Sequence, residues 1–131
     1  MRRLRVRLTR DEKDVVARIS PYQADVLHCA LELLRGQNLG AAALAVQVGA
    51  GPEVVNALAA RFAGDHTESF ELRLSAAELH VLHSALAAVP LMFLDGRDRL
   101  FSEERFHQET GSFREHFDSL ARSLVEEVSE A

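Results

Sequence analysis

The 131-residue chain has one cysteine, one tyrosine, three prolines and no tryptophan. A lone Cys29 excludes an internal disulfide, so a reducing compartment is expected, with the cytoplasm as its default. In its apolar, helix-period surroundings Cys29 reads as a small core residue. No apolar run approaches the roughly 18 residues that span a bilayer. The opening "MRRLRVRLTR" is basic and no apolar run follows it, so neither a secretory signal nor a membrane anchor is expected. Basic residues are outnumbered: Lys+Arg total 15 against 20 Asp+Glu, for a net charge of -5. Such a chain is repelled as a whole by nucleic acid and anionic membranes, so any basic site has to be local. The motifs of common chemistries are missing too. There is no HExxH and no Cys/His cluster. No serine sits in a nucleophile elbow. The "GAG" at 49–51 lacks the lysine and the preceding strand of a phosphate loop. Six histidines come without the organised carboxylates of acid–base catalysis. Neither an enzyme activity nor a cofactor is expected.

What the chain has is the composition of a soluble globular domain, 47% hydrophobic and 27% charged. Its length suits one domain over residues 1–131. Its strongest feature is internal repetition. "VLHCAL" (26–31) returns as "VLHSAL" (81–86), 55 positions on. At the same offset "VVARIS" (15–20) matches "FELRLS" (70–75). Further on, "GAGPEVVNALAARF" (49–62) matches "GSFREHFDSLARSL" (111–124) at an offset of 62. The growth of the offset by 7 (62 minus 55) places an insertion between Val89 and Phe106. Two copies at so long a period argue against a solenoid. They predict repeat unit 1 over about 1–64 and repeat unit 2 over about 65–131, related by pseudo-twofold symmetry. Each unit would hold a strand, a long helix, a short helix and a final helix.

Local chemistry supports those elements. "RLRVRLT" (3–9) and "FELRL" (70–74) alternate apolar and polar residues, which is strand period. "RDEKD" (10–14) is a polar turn leading into "VVARIS", predicting a hairpin. Ser20-Pro21 reads as an N-cap followed by proline at the first helical position. Ser75 with Glu78 reads as a capping box. Gly36 and Pro90 are the predicted stops of the two long helices. A last helix from about Ser112 to Val128 puts Phe113, Phe117, Leu120, Leu124 and Val128 on one face. The fold class is α+β: a small antiparallel three-stranded sheet packed against about five to six helices.

Four features compete as sites. His28 and His83 are matched residues at the edge of an apolar stripe, where a histidine packs its ring and bonds one N–H locally. His80 and His83, three apart on one helix, are the metal-ligand candidates, and they rank below the structural reading. Arg3, Arg5 and Arg7 share a strand face, with Arg18 and Arg73 expected on the same side and Glu71 as the one acidic residue there. Such a face reads first as solvated arginines that keep strand edges apart. It reads second as a contact for a protein partner through Arg3, Arg5 and Arg7. Third, Arg5, Arg7, Arg18 and Arg73 are possible phosphate contacts of a nucleic acid.

Ala45, Gly49, Val55 and Leu58 have a spacing that resembles the helix-turn-helix motif over about twenty residues. The resemblance implies DNA reading by the second helix. That helix, "PEVVNALAARF" (52–62), offers only Asn56 and Arg61 and carries Glu53 near its start, whereas base readout needs exposed Arg, Lys, Asn or Gln. It reads instead as a hairpin used for packing. Finally, Met92, Phe93 and Leu94 follow Leu91 within the insertion Pro90–Arg105. Four consecutive large apolar residues do not suit an exposed loop, so they cap the core or dock a partner. The combined expectation is a non-enzymatic cytoplasmic interaction module: an inhibitor, adaptor or immunity-like protein. It would form a homodimer or bind another protein through Met92, Phe93 and Leu94 or through the arginines, without a membrane. A nucleic-acid-binding regulator stands second and a histidine-based metal protein third.

Overall fold

The structure, a computed structural model, describes residues 6–37, 40–91 and 114–130. In chain order these form β1 (Arg7–Asp11), β2 (Asp14–Ile19), α1 (Pro21–Gly36), α2 (Ala41–Val48), α3 (Pro52–Phe62), β3 (Phe70–Leu74), α4 (Ala76–Leu91) and α5 (Arg114–Glu130). The strands make one antiparallel sheet in the order β1-β2-β3. With five helices among the described residues, the class is α+β, at the lower end of the expected helix number.

Alternation sets the two faces of the sheet. Leu8, Val15, Ala17, Ile19 and Leu74 are buried on the helix side, while Arg7, Thr9, Arg18, Glu71 and Arg73 are exposed on the other. The hairpin is tighter than the polar run "RDEKD" suggests. Arg10 pairs with Val15 and Asp11 with Asp14, leaving Glu12-Lys13 as a two-residue turn with Glu12 at φ 58°. A positive φ in such a turn lets its twist match that of the strands.

The β2–β3 register brings the two matched segments side by side. Ala17 faces Leu72, the residue matched to it at an offset of 55. Val15 faces Leu74, and Ile19 faces Phe70, so each of these residues meets the counterpart of the other. Strands that correspond in sequence therefore pair with each other, centred on a matched pair. A slip of one residue would put matched residues on opposite faces.

The two long helices begin alike. The Ser20 side chain accepts a bond from the Gln23 N–H (3.2 Å), and Gln23 Oε1 accepts one from the Ser20 N–H (2.8 Å). Ser75 and Glu78 repeat this box at 3.1 and 2.8 Å. Each cap satisfies N–H groups that the first turn leaves open, worth about 1 kcal/mol. Gly36 ends α1 as expected. α4 does not stop before Pro90 but runs through it to Leu91. A proline so close to a C-terminus removes one N–H from the last turn without breaking the turns before it.

The core lies between sheet and helices. α1 packs on α3 and α4, and α4 packs on α5. α3 begins at Pro52 and α5 at Arg114, again 62 apart (114 minus 52). Val55 and Phe117, Leu58 and Leu120, Ala59 and Ala121, and Phe62 and Leu124 are matched pairs, and all eight residues are buried. The outer strands are held from these helices. On α5, Ser123 Oγ accepts the Val6 N–H (3.3 Å) and donates to the Leu120 carbonyl (2.9 Å). On α3, Arg61, matched to Ser123, donates to the Arg73 carbonyl of β3 (2.6 Å) and to Glu78 (3.1 Å). A guanidinium on an edge carbonyl blocks that point from pairing with another strand.

Candidate interaction surface

Between Arg35 and Glu53 the sequence carries no charged residue. α2, "AAALAVQV", lies within this stretch and contacts α4. A helix that is apolar all round is ordinarily buried. Here only Val48 is buried, while Ala41, Ala42, Ala43, Ala45 and Val46 are exposed. Val46 is 90% exposed, and Val54, just beyond the turn, is 40% exposed. These are two of the three exposed large hydrophobic residues among those described, the third being Val125.

The inner side of α2 is also poorly filled. A cavity of about 180 Å³ lies between α2 and the ends of α1 and α3, bordered by Leu34, Leu44, Gln37, Gln47 and Asn56. The Oε1 atoms of Gln37 and Gln47 are shielded from solvent and have no hydrogen-bond partner among the described residues, at a cost of about 1–3 kcal/mol each where none is supplied. Few buried apolar residues and unpaired polar atoms put this helix at the low end of local stability.

The turn after α2 is well determined. Gly49 caps the helix in the left-handed region (φ 75°), and its N–H bonds the Ala45 carbonyl at 2.8 Å. A Cβ there would also lie 3.1 Å from Cδ2 of His80. α3 then leaves at a bend of 64°. Val55 and Leu58 are buried, as their spacing predicts, but Ala45 is exposed rather than enclosed between helices. The packing role read from the sequence therefore holds for α3 and fails for most of α2. The exposed residues of α3 are Glu53, Val54, Asn56, Ala57 and Ala60. Arg61 is half-buried and engaged with Glu78 and the β3 backbone, which leaves no exposed cation on the helix that the motif would use to read bases.

On the outer sheet face Arg7, Arg18 and Arg73 are exposed, as expected, but Glu71 is not their only acidic neighbour. Arg73 donates to Asp14 (3.2 Å) and to Asp11, and Arg18 lies 3.9 Å from Glu71. The bonds to Asp11 and then Asp14 raise the Arg73 guanidinium above its ordinary value. The correction follows from the short turn, which makes Asp11 and Asp14 paired strand ends instead of turn residues. Three arginines thus share the described part of this face with three carboxylates. Exposed pairs of this kind contribute little to stability, but they cancel the local positive field. Arg3 and Arg5 lie outside the described residues, as do Met92, Phe93 and Leu94.

The matched histidines are both half-buried. His28 Nε2 lies 3.6 Å from Glu32 Oε1, and His83 is half-buried on α4. His80 is exposed, lies against Gly49 and approaches Ser84 Oγ at 3.5 Å. Among the described residues no three His, Cys, Asp or Glu side chains come together as a metal site. Among them, too, no single helix is long and apolar enough to cross a membrane, although α2 and α3 reach that composition together as a bent pair.

The surface missed by sequence reasoning is α2 itself. Its signal was present as the charge-free stretch 36–52, but an apolar helix is read as core until its burial is known. Comparison with protein-family models, with curated proteins and with solved structures finds no match to this chain in any of the three.

Proposed function

We propose that this chain is a non-enzymatic, cytoplasmic protein-interaction module whose contact surface is α2 with the adjoining start of α3. We further propose that its scaffold is a duplicated unit with a pseudo-twofold axis near the Ala17–Leu72 pair. The antiparallel meeting of matched strands, the two capping boxes and the matched buried residues of α3 and α5 support the scaffold reading. The functional reading is carried by one observation: α2 is uncharged and yet leaves Ala41, Ala42, Ala43, Ala45 and Val46 exposed. Exposed apolar surface of this kind marks an interface. A nucleic acid would instead demand cations. α2 has none, and the described arginines of the outer sheet face are offset by Glu71, Asp11 and Asp14.

A photo-crosslinking amino acid placed at Val46 in the producing cells tests this reading. A discrete crosslinked protein species is expected from position 46, and none from Asp25, which is exposed on α1. No product from position 46, or the same product from both positions, overturns it.

A further inference from the structure

We infer that the cavity on the inner side of α2 binds a free pyrimidine base, an uncharged single ring that donates N–H groups to Gln37 and Gln47. This site is separate from the contact surface proposed for the outer face of α2, and neither depends on the other. Its first support is an unmet demand. Gln37 caps the end of α1 and Gln47 lies on α2, and the Oε1 of each is cut off from solvent with no hydrogen-bond partner among the described residues. Both residues border the same cavity. An amide oxygen only accepts, so the molecule that fills the space has to bring donors for both.

The lining sets the charge of that molecule. Residues 36–52 hold no charged side chain. Arg35 is the one charged residue at the cavity border, and it is bound to Glu32 at 2.6 Å. An ion inside would lack the counter-charge that burial demands, so a neutral ligand is favoured. Leu34, Leu44 and Pro52 add apolar walls, and small-molecule sites combine such walls with a few polar groups that fix orientation. Water is the poorer occupant, because a buried water needs about two to four polar partners and these walls offer none. Size narrows the class. The cavity holds about 180 Å³, a little above the roughly 150 Å³ that accommodates benzene. One substituted ring fits, whereas larger ligands take about 300 Å³ or more. Uracil and cytosine have this size, carry at least two N–H bonds and are neutral near pH 7. Asn56, exposed at the same border, gives access from solvent and an amide N–H for the ring carbonyl.

Calorimetric titration of the purified full chain with uracil, from about 10 µM to about 5 mM, covers the affinities of single-ring ligands. Saturable binding is expected. 1,3-Dimethyluracil, the same ring with both N–H groups methylated, is expected to bind at least about tenfold more weakly, the loss that follows when two acceptors stay unmet. Uridine, whose sugar replaces one N–H and enlarges the ligand, is expected to weaken likewise. In the parent chain, saturation with uracil is expected to slow hydrogen exchange within α2 (residues 41–48). Gln37→Leu/Gln47→Leu is expected to bind uracil at least about tenfold more weakly, while its thermal midpoint stays level or rises, because unpaired amides give way to apolar groups of similar size. No saturable binding, or equal affinity for uracil and either of the other two ligands, overturns the inference. So does unchanged exchange in α2 at saturation, or full affinity in the double variant. A lowered midpoint in that variant overturns it as well, since the amides would then hold structural bonds. The crosslink from position 46 reads the outer face alone, so the two proposals fail separately.

Discussion

Phe62→Ala is expected to destabilise the fold by about 3–5 kcal/mol, the range for a fully buried phenylalanine. Phe62 ends α3, is 1% exposed and belongs to the central apolar cluster. Its removal loses the transfer energy of the ring and leaves a cavity that fixed helices fill only in part. A domain of this size has about 5–15 kcal/mol in total, so the variant loses a large fraction of its stability. Equilibrium urea denaturation measures the loss, and the midpoint of unfolding is expected to fall steeply. Phe62→Leu is the informative companion. Leucine is the residue at the matched position, Leu124, which is also buried. A swap that keeps much of the volume is expected to cost less than about 1.5 kcal/mol. A loss below about 1 kcal/mol for Phe62→Ala would place this residue outside the core and contradict its burial between helices and sheet.

Leu27→Ala and Leu82→Ala are each expected to cost about 2–5 kcal/mol. The two residues are matched at an offset of 55, and each is 1% exposed, on α1 and α4 respectively. Context varies such losses even when the chemistry is the same, so the test lies in both reaching the core range. Denaturation of the two variants side by side measures it. A nearly silent substitution at one site beside a large loss at the other would contradict equivalent core roles for the two long helices.

Particular residues show how far the sequence was legible. Ser20, Ser75 with Glu78, and Gly36 mark helix ends through their own side chains or through the lack of one, so local chemistry sufficed. The apolar alternation in β1 and β3, and the 3.6-residue period along α5, follow from contact with a single core and were equally readable. The Ser20 cap proved to be a full box because Gln23 fills the role on α1 that Glu78 has on α4. Three matters were not readable, and each depends on residues far apart in the chain. Asp11 and Asp14 became strand partners, placed to bond Arg73 across the sheet, because the turn between them closes over two residues. Arg61, a candidate base-reading residue, is bound instead to a β3 carbonyl and Glu78. α2 reads as core by composition, and only the placement of α1, α3 and α4 determines that Val48 alone is enclosed while Val46 faces outward.

The outward face of α2 is central to the proposed function, and thermal unfolding of Val46→Glu tests it most directly. The side chain is 90% exposed, so a carboxylate there should shift stability by no more than about 0.5 kcal/mol, as for other surface substitutions. An unchanged midpoint, in dilute protein where no partner is bound, is the predicted result. A loss of about 2 kcal/mol or more is the signature of a charge forced into a core. It would show that this face of α2 is buried within the chain and contradict its role as an interaction surface.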